Sequence, residues 1–224
     1  MINYLLVTSK PWHDVLFEKL RKRNGENWSR IIEKEQLNSY FLKNFKPKKI
    51  FIPHWSHIIP KEIWTRYKCV VFHMTDLPYG RGGSPLQNLI VRGKKETKIT
   101  ALKVNHGIDE GDIYLKKPLS LSGNAREIFE KSSNIIFNMI EEIIEKKIEP
   151  YPQKGIATNF RRRLREDGDI KNLKELNKVY DYIRMLDCEG YENAFIELKN
   201  FKIFFNNATI KNQEINANVR IIKK

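Results

Sequence analysis

Residues 69–88 read CVVFHMTDLPYGRGGSPLQN and hold the strongest fold signal in the chain. The apolar run at residues 69–72 predicts a strand covered on both faces, because a strand with one solvated face alternates apolar and polar side chains. His73 ends the run, a turn rich in proline and glycine follows, and Pro85 suits the first position of a helix. The stretch therefore predicts a buried strand, a turn and a helix in succession.

Strand and helix signals alternate on both sides of this stretch. Residues 4–7 and 49–53 are two further short apolar runs, and a helical pattern lies between them at residues 11–20. Residues 98–105 and 113–115 predict two more strands, joined by a polar loop. The alternation predicts an α/β fold with a mostly parallel sheet.

A long amphipathic helix precedes a change of pattern. Apolar residues recur at helical spacing over residues 128–144, and Asn124 with Glu127 forms a capping pair at the helix start. Two prolines end the helix. We predict a catalytic domain at residues 1–150 and a small α+β extension at residues 151–224, with a short helix and several strands.

The 224-residue chain is strongly basic. It carries 41 Lys and Arg against 27 Asp and Glu, a formal net charge of +14. This excess favours a nucleic acid, a nucleotide-linked substrate or a membrane surface as partner, or else reflects a solvated lysine-rich surface. No apolar run approaches the about 20 residues of a membrane-spanning helix, and the N-terminus lacks a basic secretory start. Two cysteines and no His/Cys cluster indicate a cytoplasmic protein without a metal site.

Polar side chains follow several of the predicted strands. Ligands of open α/β sheets bind outside the carboxyl ends of strands, so these side chains are candidates for a site. They are Ser9, Lys10, His54, Trp55 and His73. The glycines after His73 allow the backbone to approach a ligand closely, and a helix start favours an anionic group.

Two loops together resemble the folate-dependent formyltransferases. The second loop, residues 107–111, has the family's Gly-x-Asp-x-Gly pattern, and Asp109 lies 36 residues after His73, as in the family. The first loop matches the family at His73, Thr75 (in place of Ser), Leu77, Pro78, Arg81, Gly82 and Pro85. The resemblance implies a Rossmann-like formyltransferase fold and N10-formyltetrahydrofolate as formyl donor.

The resemblance also implies roles for individual residues. His73 donates a hydrogen bond to the oxyanion that develops on the formyl group, and Asp109 orients or charges its ring and helps to move the proton of the attacking amine. The residues expected to bind folate are His54, Trp55, Ile59, Gly82, Gly107, Ile108 and Asp112. Those expected to bind the acceptor substrate are Lys10, Thr75, Arg81 and Gly83. Arg81 contacts either a phosphate or a local carboxylate.

One position departs from the family. Val71 stands where the family has an Asn that helps to stabilise the oxyanion. Loss of one oxyanion donor typically raises the barrier by about 2.7–4 kcal/mol. Thr75, Asn105, His106 or the backbone N–H groups near Gly82 are the possible substitutes.

The C-terminal third most resembles nucleotide-sugar N-formyltransferases, through residues 167–170, 182–186 and 190–195. It predicts a UDP- or dTDP-linked amino sugar of lipopolysaccharide O-antigen synthesis as acceptor, a homodimer, and neither nucleic acid nor membrane as partner. Two alternatives remain: a methionyl-tRNA formyltransferase-like enzyme, and a basic RNA-binding module without catalysis.

Overall fold

The structure is a computed structural model that describes all residues, Met1–Lys224. The chain forms two compact units. The first unit comprises residues 1–82, 98–119 and 130–159, and the second comprises residues 83–97, 120–129 and 160–224. The division at residue 150 inferred from the sequence stays a prediction. None of the helices combines the length and the apolar character that crossing a membrane requires.

The elements alternate along the first half of the chain, as expected. The strands are β1 (Ile2–Val7), β2 (Glu26–Ile31), β3 (Lys49–Pro53), β4 (Cys69–His73), β5 (Arg81–Gly82), β6 (Glu96–Lys103), β7 (Ile113–Ser120), β8 (Asn159–Phe160), β9 (Ala194–Glu197), β10 (Phe201–Lys211) and β11 (Glu214–Lys223). The helices are α1 (Asp14–Arg21), α2 (Ser39–Phe45), α3 (Lys61–Trp64), α4 (Pro85–Val91), α5 (Ala125–Glu145) and α6 (Leu176–Leu186).

A six-stranded sheet has the order β2-β1-β3-β4-β6-β7. The pairs β1/β2, β1/β3 and β3/β4 are parallel, and β4/β6 is antiparallel. The apolar runs that predicted β1, β3 and β4 are buried, as strands covered on both faces must be. The predicted α/β fold with a mostly parallel sheet is therefore confirmed.

The register of the sheet decides where its loops begin. Pro53 of β3 lies beside Phe72 of β4, so His54 and His73 leave neighbouring strands at the same end of the sheet. Because β6 is antiparallel to β4 and pairs Lys103 with Val70, the loop at residues 104–112 leaves from the opposite end.

The second unit contains a three-stranded antiparallel sheet, β11-β10-β9, with α6 packed on it. Arg184 of α6 is buried; its Nε donates to Asp181 (2.7 Å) and its Nη1 to the carbonyls of Leu121 and Gly123. The sequence predicted separate strands at residues 202–205 and 209–210. They form one strand, β10, because a bulge between Asn206 and Thr209 absorbs the irregularity without a turn. The α+β extension is otherwise as predicted.

Candidate active site

His73 and Asp109 lie in contact. His73 Nδ1 is 3.3 Å from Asp109 Oδ2, and Nε2 donates to the carbonyl oxygen of Gly80 at 2.8 Å. Both partners are acceptors, so the ring satisfies both only when both nitrogens carry protons. His73 is 7% exposed, so the pair lies at the edge of the buried core. The structure thus contains the contact between His73 and Asp109 that the two loop motifs suggested.

The loop that carries Asp109 reaches His73 by an unexpected route. It leaves β6 at the far end of the sheet and turns back, instead of starting at the end where His73 lies. Asp109 has φ +56°, a left-handed conformation that a residue other than glycine adopts at a cost of about 1 kcal/mol. The Gly82 N–H donates to Asp109 Oδ2 at 2.9 Å, so one carboxylate oxygen joins the two loops.

The turn after His73 is tied together around Gly80. Thr75 Oγ1 donates to the same Gly80 carbonyl that accepts from His73, at 3.2 Å. The Gly80 N–H donates to Thr158 Oγ1 at 2.8 Å, and the Arg81 N–H donates to the Thr158 carbonyl at 2.9 Å. Thr75, expected to bind the acceptor, therefore supports the backbone that orients His73.

Residues 151–159, at the start of the predicted C-terminal extension, contact both loops of the site. We call them the bridging segment. Tyr151 exchanges two backbone hydrogen bonds with Ile113, and Gln153 Nε2 donates to the carbonyls of Asp109 (2.8 Å) and Gly111 (2.9 Å). Neither Gln153 nor Thr158 was identified from sequence. Both side chains bind mostly backbone atoms. Such contacts do not require apolar residues at any particular spacing, so the sequence pattern does not reveal them.

Arg81 is held by protein groups. Its Nη1 is 3.1 Å from Glu110 Oε1, and its Nη2 donates to Gln153 Oε1 at 2.9 Å. Of the two alternatives for this guanidinium, the structure shows the pairing with a local carboxylate. The assignment of Arg81 to the acceptor stays a prediction.

Val71 lies in an apolar setting, against Leu77, Leu102 and Ile113. Several candidate substitutes for the family's Asn are already bonded to protein. The Gly82 N–H and the Thr75 hydroxyl have the partners given above, and Asn105 Oδ1 accepts from the Gly107 N–H at 3.1 Å.

The residues expected to bind folate are spread over three loops of the first unit: the loop after β3, the turn after β4 and the loop between β6 and β7. Trp55 is half-buried and packs on the core, while Ile59 is buried within it. Ile108 is 68% exposed beside Asp109 in the chain. The Asp112 carbonyl accepts from the Lys103 N–H at 2.8 Å, and a Cβ on Gly107 would meet the Glu110 side chain.

Lys10 and Gly83, expected to bind the acceptor, are not placed at the His73–Asp109 pair by any contact. Lys10 Nζ lies 5.5 Å from the centroid of the Trp12 ring in the first unit. Gly83 belongs to the second unit, where a Cβ would lie 2.6 Å from the Arg162 Cα, so a side chain is excluded by backbone. Their roles stay predictions.

Trp12, His13 and His54 form a hydrogen-bonded group of rings in the first unit, in which His13 is buried and the other two are half-buried. Trp12 Nε1 donates to His54 Nδ1 at 3.0 Å, and His13 Nε2 lies 3.0 Å from the same atom. Since tryptophan only donates, His54 Nδ1 is the acceptor in its bond with Trp12, and His13 Nδ1 lies 2.9 Å from the Ser133 hydroxyl oxygen. The proton of His54 is therefore on Nε2. Trp12 and His13 were not predicted from the sequence, because they lie beyond the residues that directly follow β1.

The pKa values of both imidazoles, His13 and His54, are lowered below the usual range, which favours neutral rings at pH 7. Burial is the main cause that lowers the pKa of His54 to about 3, with the positive charges of Lys10 and His73 adding to it. Burial, followed by His54, Arg30 and Lys10, lowers the pKa of His13 well below its usual range.

These pKa shifts predict a loss of stability in acid. A histidine whose pKa falls on folding stabilises the fold fully above the unfolded pKa of about 6.5 and loses that contribution as the pH falls towards the folded pKa. In that window His54 contributes a slope of about 1.4 kcal/mol per pH unit to the free energy of unfolding. We expect His54→Gln to flatten the decline between pH 6.5 and 4 in urea titrations, whereas His57→Gln, at an exposed position, leaves it unchanged. Equal slopes in the two variants would contradict the assignment.

No group of three or more His, Cys, Asp or Glu side chains is arranged to hold a metal ion.

Comparison with known proteins identifies the family. The family described as "Formyl transferase" matches residues 9–126, and "Methionyl-tRNA formyltransferase, C-terminal domain" matches residues 165–222. The methionyl-tRNA formyltransferase of Thermodesulfovibrio yellowstonii is 31% identical over 151 residues, which are 64% of this chain and 49% of that protein. The chain thus spans about half the length of the curated relatives it matches.

Two solved structures bear on the acceptor. A methionyl-tRNA formyltransferase from Clostridium thermocellum is 49% identical, with a TM-score of 0.97 and all of both chains covered. A sugar N-formyltransferase from a Shewanella species is 13% identical, with a TM-score of 0.68, covering 89% of this chain and 94% of that one. The second likeness is one of fold alone.

These findings correct the sequence-based choice of acceptor. The prediction of a nucleotide-linked amino sugar in lipopolysaccharide or O-antigen synthesis, without a nucleic-acid partner, is wrong, because the relatives with substantial identity are methionyl-tRNA formyltransferases. The segments used for that choice are structural. Ile170 and Ile183 lie in the core of the second unit, and Arg184 binds backbone carbonyls, so they report the fold and not the acceptor.

The resemblance that rested on His73, Asp109 and the glycine turn between them is confirmed at the level of the family. The matched region includes both loops and more than half of the chain. This chain belongs to the formyl transferase family.

Proposed function

We propose that this protein transfers the formyl group of N10-formyltetrahydrofolate to the amino group of methionine esterified to tRNA. The observation that carries the reaction type is the contact between His73 and Asp109, joined through Gly82. The acceptor is supported by the 49% identity to a methionyl-tRNA formyltransferase over the whole chain. The net charge of +14 suits a polyanionic acceptor.

The residues present fit a folate. Ile58 is 84% exposed on the loop after β3, and Ile108 is 68% exposed beside Asp109. Exposed apolar side chains on these two loops suit the binding of a flat ring system. When bound, N10-formyltetrahydrofolate supplies a formyl group on nitrogen. His54 and Trp55 follow β3, at the end of the sheet where β4 ends with His73.

The chemistry assigned to the chain's own side chains follows from their partners. We assign the Nε2 N–H of His73 as the donor to the formyl oxygen. This N–H donates to the Gly80 carbonyl at 2.8 Å, so it must exchange that acceptor for the formyl oxygen when the reaction begins. Asp109 lies against the opposite nitrogen, and we assign it to take the proton that the attacking amine loses and to pass that proton to the folate nitrogen that leaves. Bringing both reactants to this pair contributes further acceleration.

A direct transfer assay tests the proposal. Purified protein is incubated with N10-formyltetrahydrofolate and tRNA charged with radiolabelled methionine, and formyl-methionine is separated after the ester is hydrolysed. We expect formyl-methionine with the wild type and its loss with His73→Ala. Parallel reactions contain UDP- and dTDP-linked amino sugars. Formylation of a sugar amine without formylation of methionyl-tRNA would overturn the acceptor, and no transfer to any amine would overturn the reaction.

A further inference from the structure

Gln153 makes a set of hydrogen bonds centred on the loop that carries Asp109. Its amide nitrogen donates to the carbonyl oxygens of Asp109 and Gly111, which flank Glu110, at 2.8 and 2.9 Å. Its amide oxygen accepts from Arg81 Nη2 at 2.9 Å, and the same guanidinium pairs with Glu110. All these residues lie in the first unit. One side chain thus contacts both loops of the site.

The loop needs such a restraint. Asp109 has a left-handed backbone conformation, which favours relaxation to another one unless the neighbouring groups prevent it. The two carbonyls that Gln153 binds lie on either side of that strained segment. Only a side-chain amide of this length supplies two N–H groups to the carbonyls and one oxygen to the guanidinium.

We propose that Gln153 is a positioning residue that fixes the backbone of Asp109, so that its carboxylate stays against His73 Nδ1 and the Gly82 N–H. Gln153 acts through Asp109 and does not touch the substrate. This inference rests on the proposed function for its effect on turnover, but its structural part is independent of any substrate.

The structural part is tested by amide hydrogen exchange of the free protein, measured by NMR. The Gly82 N–H donates to Asp109 Oδ2, whereas the neighbouring Arg81 N–H donates to the Thr158 carbonyl. In Gln153→Ala we expect at least about tenfold faster exchange at Gly82, with Arg81 changed by less than about threefold. Unchanged exchange at Gly82, or equal acceleration at both amides, would overturn the proposal.

The functional part is tested by a double-mutant cycle. We expect Gln153→Ala to lower kcat roughly 10- to 100-fold with little change in KM, because a misplacement of about 1 Å is enough for such a loss. In the Asp109→Asn background the same change costs less than about twofold, since the carboxylate is already absent. Lys154→Ala, an exposed neighbour, serves as the matched control. An equal loss in both backgrounds would show a merely structural role.

Together, the exchange measurement and the kinetic measurement distinguish a failure of this inference from a failure of the proposed function. If methionyl-tRNA is not formylated while Gly82 exchange accelerates in Gln153→Ala, the acceptor is wrong and Gln153 still positions Asp109. If methionyl-tRNA is formylated and exchange is unaffected, the inference on Gln153 fails while the function stands.

Discussion

His73→Ala lowers kcat for formyl transfer by roughly 10³-fold and changes KM for the formyl donor by less than about threefold. The reason is that the ring donates to the oxygen on which charge develops, an interaction that is stronger in the transition state than in the ground state. Steady-state kinetics with methionyl-tRNA check this expectation. A kcat within tenfold of the wild type would remove His73 from the chemistry.

Asp109→Asn removes the negative charge of this side chain while keeping its size and shape. The amide keeps the volume and a hydrogen-bonding oxygen but cannot stabilise a charged imidazole or accept the proton of the amine. We expect kcat to fall about 10²-fold or more, with the melting temperature close to that of the wild type. Near wild-type turnover would exclude Asp109 from the reaction and leave His73 to act alone.

Sequence patterns were sufficient for the elements that bury apolar surface. The strand β4 and the position of His73 at its end followed from the order of the residues alone. A strand that is covered on both faces has a continuous run of apolar residues, which is easily recognised in a sequence. The partner Asp109 came from a family resemblance, not from spacing. Periodicity contains no information about the fold-back of residues 104–112 over the sheet, since that path depends on an antiparallel β6.

The missed residues share one physical feature. Gln153, Thr158 and His13 act through hydrogen bonds to backbone or to other polar side chains, and such bonds impose no spacing on the sequence. The acceptor was misjudged for a related reason. Conspicuous residues of the C-terminal third, such as Arg184, hold the second unit together, so their presence carries no information about the acceptor.

Gly111→Ala should be the most damaging small substitution in the site. A Cβ at this position would lie 1.6 Å from the carbonyl oxygen of Lys103 in β6, a backbone atom that cannot move without disturbing the sheet. The loop must shift, and it then loses the bond from Gln153 to the Gly111 carbonyl. We expect kcat to fall about 10²-fold or more, together with a loss of roughly 1–3 kcal/mol in the free energy of unfolding.

Gly25→Ala provides the matched control for Gly111→Ala. Gly25 has φ +76°, but a methyl group added there would have no other atom within 4 Å, so alanine strains the backbone without a clash. It should cost about 1 kcal/mol of stability and leave kcat unchanged. Kinetics and urea unfolding of both variants decide the matter. If Gly111→Ala retained wild-type kcat, the loop would tolerate displacement from β6, and the geometry that holds Asp109 against His73 would not limit turnover.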